Sequence, residues 1–113
     1  MARHIVKFPD LVIEDGGTQS NVVSSPQGFG HTVDLILYAA NVAVTILVGY
    51  DKDMDVGDLI ALQVEPGTDF TVAASKAGVI PTSSFLSLAV EAAGAVTGDK
   101  TYRLRGQVEA AGI

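Results

Sequence analysis

Three aspartates at alternate positions, Asp51, Asp53 and Asp55 in "DKDMDVGD", are the residues whose types and spacing best suit chemistry in this chain. Carboxylates at positions 1, 3 and 5 open an EF-hand loop, where oxygen ligands wrap a Ca²⁺ ion. The rest of the stretch departs from that pattern. Val56 stands where a glycine makes the sharp turn, and Leu62 stands where a bidentate glutamate closes the shell. An irregular calcium site is the most the pattern supports, and a solvated hairpin tip accounts for it better.

No other constellation completes itself. "GDKT" (Gly98 to Thr101) looks like the end of a phosphate-binding loop, but Ala93 occupies the place of the first glycine, which leaves a β-turn as the reading. "GFGH" (Gly28 to His31) lacks the third glycine and the following helix of a dinucleotide fingerprint. His4 and His31 are the two histidines, and neither spacing suggests a zinc site or a general base. There is no G-x-S-x-G elbow and no cysteine, so the sequence offers neither that nucleophile nor a thiolate site. No catalytic, cofactor-binding or metal-ligating residue is assigned, no cofactor is implied, and the expectation is a non-enzymatic protein.

The elements that would position any site read as β throughout. Val33, Leu35 and Leu37 alternate with Asp34, Ile36 and Tyr38, a mostly apolar pattern that predicts a buried strand. "VAVTILVGY" is rich in β-branched residues and predicts a second strand. "LIALQV" (Leu59 to Val64) predicts a third, closed by a turn at Pro66-Gly67. "FTVAASK" alternates next, and "AGVIP" reads as an interruption. Residues 84–93 carry both helical and strand spacing, and the β surroundings favour a strand from Ser84 to Val90. The last strand is the clearest. Tyr102, Leu104, Gly106 and Val108 fall on one face, and Thr101, Arg103, Arg105, Gln107 and Glu109 on the other.

The first thirty residues are rich in Gly, Ser, Asn and Pro, with short strands at "HIVKF", "LVI" and Asn21 to Ser24. The resulting expectation is one all-β domain, an antiparallel β-sandwich or jelly roll of six to eight strands. Residues 1–30 form an extended N-terminal arm and residues 31–113 the core. Arg103 and Arg105, together with His4 and Phe8 of the arm, are the candidate interface residues.

Bulk properties narrow the class. A chain of 113 residues is one domain, and 48% apolar content argues against disorder. The net charge of −6 argues against nucleic acid as a partner. The longest uncharged apolar part, Leu35 to Tyr50, has 16 residues, too few for a membrane span of about 20. The opening "MARHIVKFPD" lacks the apolar region of a signal peptide.

Two stretches carry a family resemblance. "VIEDGGTQSNVVSSPQGFGHTVDLILYA" (Val12 to Ala39) resembles the opening of small virion β-proteins of tailed bacteriophages, where an "I-x-x-G-x-x-x-S-x-x-V" phrase precedes a strand. "DKTYRLRGQVEAAG" (Asp99 to Gly112) is similar to the "Y-L-R-L-R-S" strand that ends several such domains, departing from it at Gly106. The resemblance implies a head-decoration, or cement, protein: a homotrimer bound in many copies to the major capsid protein where capsomers meet. It would lie on the capsid surface of a virion assembled in the host cytoplasm. Alternatives are a tail or head–tail structural β-protein and a cellular module that binds glycans or proteins.

Overall fold

Period-two alternation sends successive side chains to opposite faces of a strand, and this chain uses it to enclose one core between antiparallel sheets. The computed structural model describes residues 3–25, 29, 34–81 and 85–109. The first six strands among them are β1 (Arg3–Lys7), β2 (Leu11–Ile13), β3 (Val23–Ser24), β4 (Asp34–Tyr38), β5 (Val44–Gly49) and β6 (Ile60–Ala61). The others are β7 (Gln63–Glu65), β8 (Thr68–Asp69), β9 (Thr71–Val72), β10 (Ala77–Ile80), β11 (Ser87–Ala92) and β12 (Lys100–Glu109). One sheet runs β1-β12-β4-β10, with β2 also on β12. The second runs β3-β11-β5-β6, with β9 also on β5, and β7 and β8 pair as a separate hairpin. The all-β sandwich expected from the sequence is the architecture observed. Its strands are shorter and more numerous than expected because several break where the chain changes partner.

The core lies between the two sheets. Leu35 and Leu37 of β4 and Tyr102 and Leu104 of β12 meet Ile46 and Val48 of β5 and Leu88 and Val90 of β11, all essentially fully buried. Phe8, Phe29 and Phe85 stack in a row with successive ring centroids 5.3 Å apart. Among the described residues Tyr102 is the largest fully buried side chain, and its hydroxyl donates to the Val42 carbonyl at 2.9 Å. That bond supplies the polar partner a buried phenol needs.

The N-terminal segment, expected as an arm, is largely built into the sheets from Arg3 to Ser24. β1 lies along β12 from Arg3↔Glu109 to Lys7↔Arg105, and β2 continues on the same strand from Leu11↔Tyr102 to Ile13↔Lys100. Pro9, which has no N–H to give a ladder, falls in the gap between them. The chain then crosses to the second sheet, where Ser20 N–H bonds the Val90 carbonyl at 3.0 Å and Ala92 N–H bonds the Thr18 carbonyl at 2.8 Å. Leu11 and Ile13 are completely buried on the way.

Three strand expectations are corrected by the packing. "AGVIP" does not interrupt the β pattern: it contains β10, which pairs with β4 from Ala77↔Tyr38 to Ile80↔Leu35. Glycine is required there because a Cβ on Gly78 would meet Val72 Cγ2 at 2.8 Å. "LIALQV" is two strands rather than one. β6 pairs with Leu47 and Val48, β9 pairs with Val44 and Thr45, and the chain between them leaves the β5 edge. Leu62 and Phe70 close the root of this excursion through hydrogen bonds to each other and to Ile46. Third, β4 is buried on one face only, because Ile36 and Tyr38 turn outward from a sheet whose other side holds the core.

Burial pushes the Tyr102 phenol pKa above its ordinary value near 10. The folded chain therefore holds that proton more tightly than the unfolded chain does. The associated stability is complete below about pH 10 and is lost as pH rises through the folded value. Tyr102→Phe is expected to cost about 1–2 kcal/mol at neutral pH and to flatten this alkaline loss, as read by urea denaturation between neutral pH and about pH 11. Gly78→Ala is expected to cost about 1–3 kcal/mol through the Val72 contact, checked by the same denaturation at neutral pH.

Candidate interaction face

The outward parity of the first sheet collects the sequence-predicted arginines. β12 places Arg103 opposite Tyr38 and Arg105 opposite Ile36 on β4. β10 adds Val79 opposite Ile36, and β1 adds Lys7 opposite Arg105. Ile5 of β1 also faces outward and is 71% exposed, with Val79 at 58% and Tyr38 at 39%. Ile5, Ile36, Tyr38, Arg103, Arg105 and Gly106 line a shallow groove of about 340 Å³ on this face. It is an apolar surface studded with cations, on a chain whose net charge is −6.

The two arginines are held differently. The Arg103 guanidinium lies over the Tyr38 ring, 5.2 Å from its centroid, a cation–π geometry that leaves its N–H groups at the surface. Among the described residues no carboxylate pairs with it. Arg105 is more enclosed. It donates to the neighbouring Leu104 carbonyl at 2.9 Å and stands 3.9 Å from Asp10 Oδ1. Lys7 directly across from Arg105 puts two like charges side by side, which is unfavourable unless an anion lies near. Asp10 offsets part of that charge, and the face still carries exposed Lys7 and Arg103 beside its apolar contacts.

The other interface candidates lie elsewhere. Phe8 is half-buried, with its ring 5.3 Å from Phe29, and it packs against the core. His4 sits in β1 opposite Val108. His31, Gly28 and Gly30 lie outside the described residues. Ile36, Tyr38 and Val79 belong to the face but were not singled out from sequence. Their signal was a strand too apolar for one buried face.

The aspartate stretch is organised by its backbone. Asp53 has φ 56°, a left-handed conformation that Asp tolerates better than most residues. Its N–H donates to Ser24 Oγ at 3.1 Å, and Ser87 Oγ donates to the Asp51 carbonyl at 2.6 Å. Because Ser87 spends its proton there, Ser24 must donate to Ser87 Oγ across their 3.1 Å contact. The two hydroxyls form one relay that pins the loop to β3 and β11. Asp51, Asp53 and Asp55 are all exposed, and among the described residues no three acidic or histidine side chains gather as a metal site. At "GDKT", Gly98 takes φ 77° in a bend, and its N–H donates to Asp15 Oδ1 at 2.7 Å.

Because Arg103 and Arg105 point away from the core, replacing both with alanine is expected to change unfolding free energy by about 1 kcal/mol or less. Leu104→Ala between them is expected to cost about 2–5 kcal/mol. Urea denaturation of the two variants side by side checks the contrast.

Compared with protein-family models, curated proteins and solved structures, the chain finds no match.

Proposed function

We propose that this chain is a non-enzymatic structural protein of a tailed-phage virion, a decoration protein that binds the outer capsid in many copies and bridges capsomers. The observation that carries the reading is the outer face of the first sheet, where Ile5, Tyr38 and Val79 are exposed beside Arg103 and Arg105. A rigid two-sheet scaffold presenting such a face suits docking, and the resemblance of Val12 to Ala39 and Asp99 to Gly112 supplies the class of partner. A protein of this kind stabilises its target by binding the assembled state alone. Copies related by symmetry add contacts by avidity, so each contact can be weak. The homotrimer implied by the resemblance would multiply them threefold.

The direct test mixes the purified chain with expanded capsids and images the particles. Ordered density at capsomer junctions is the expected result, with occupancy reduced when Arg103→Ala and Arg105→Ala are combined. Bare capsids at saturating protein would overturn the assignment. Binding to tails instead, or to glycans in a screen, would move the chain to one of the alternative classes.

A further inference from the structure

The charges of this chain are segregated. Residues 51–69 hold six carboxylates (Asp51, Asp53, Asp55, Asp58, Glu65 and Asp69) against the single cation Lys52, a balance of −5 out of a chain total of −6. All six are exposed. This segment borders the second sheet through β6 and includes the β7–β8 hairpin, which pairs with neither main sheet. Every strand residue of that hairpin is exposed, Val64 at 54%. Ile60 nearby is 58% exposed. Gln63 braces the turn, its side chain bonding Asp69 Oδ1 and Gly67 N–H, each at 3.2 Å. The hairpin is therefore a formed element turning at Pro66-Gly67, with exposed Val64 beside Glu65 in its first strand, and among the described residues it pairs with neither main sheet.

Its complement is on the same chain but on the other sheet. The outer face of the first sheet offers exposed Ile5 and Val79 flanked by Lys7, Arg103 and Arg105. The two surfaces belong to different sheets, and among the described residues no hydrogen bond or ion pair joins them within one copy. We propose that a second copy of this chain is the occupant: the β7–β8 hairpin of one subunit docks head-to-tail on the groove lined by Tyr38, Arg103 and Arg105 of the next. The carboxylates around the hairpin, Glu65 on one of its faces and Asp69 on the other, supply the negative charge for the arginines, and Val64 supplies apolar contact. Opposite potentials set the orientation and speed the encounter, while burial of the exposed apolar side chains supplies the cohesion. The contact uses two different patches, so it is heterologous and generates a ring or an open chain of subunits. The inference rests on the self-association part of the functional reading and gives this groove to the neighbouring subunit rather than to the shell; the assay contains no capsids, so its failure leaves shell binding by the same face separately testable.

The test is sedimentation velocity on the full chain across micromolar to millimolar concentrations. The chain should sediment above its monomer mass of 11.7 kDa. Association should weaken severalfold between about 50 mM and about 1 M NaCl as the charges are screened. R103E with R105E, and separately E65K with D69K, should each raise the apparent dissociation constant at least tenfold while keeping the far-UV circular dichroism of the parent. An equimolar mixture of the two variants should reassociate, because each variant's altered surface then matches the other's. A wild-type chain that stays monomeric overturns the proposal. So does salt-independent association, a variant that assembles like the parent, or a mixture that fails to reassociate.

Discussion

β12 is the strand on which the first sheet depends. Its ten residues carry β1 and β2 in succession and β4 as a further partner, so one register decides the position of three other strands. Because side chains alternate with a period of two, slipping that register by one residue would drive Arg103 and Arg105 into the core and expose Tyr102 and Leu104. Desolvating two unpaired guanidinium groups is far costlier than any loss of ladder hydrogen bonds. The buried Tyr102, anchored to the Val42 carbonyl, holds the register from inside. The cationic outer face and the apolar core are therefore two results of one constraint.

The closure of the sandwich depends on the same strand. Leu11 and Ile13 hang on β12 and fill one end of the core, and the segment through Thr18 and Ser20 then bonds to β11 in the opposite sheet. Strands or segments that change sheet in this way form the corners of a sandwich. At the far end the Ser24–Ser87 relay fastens the loop at Asp51 and Asp53 to that second sheet. Hydroxyls suit the place because a buried polar group is stable only when satisfied, and among the described residues no buried side-chain polar atom lacks a partner.

The architecture also polarises the molecule. The excursion between β6 and β9 carries the acidic hairpin away from the β5 edge, while the first sheet turns its cations outward. A protein with one acidic projection and one cationic apolar face is suited to repeated contacts with copies of itself or with a lattice. The proposed role in a shell would use that property, since each bond can be weak if symmetry repeats it.

What the sequence determined by itself is whatever depends on local alternation. The two faces of β12, the strand at Val44–Gly49, the turn at Pro66-Gly67 and the all-β class follow from residue types two apart and from glycine or proline punctuation. Tertiary structure decided the rest, because it depends on residues distant in the chain. β10 is placed by its pairing along the edge of β4, where Gly78 leaves room for Val72 of the other sheet. Ile36, Tyr38 and Val79 join the arginines only once β12, β4 and β10 lie side by side. The alternate aspartates, which looked the most like a site, were placed by a backbone turn and two serines from other strands. A single sequence records which side chains can share a face. Long-range pairing alone decides which faces meet, since loop closure brings together residues whose local patterns carry no mark of each other.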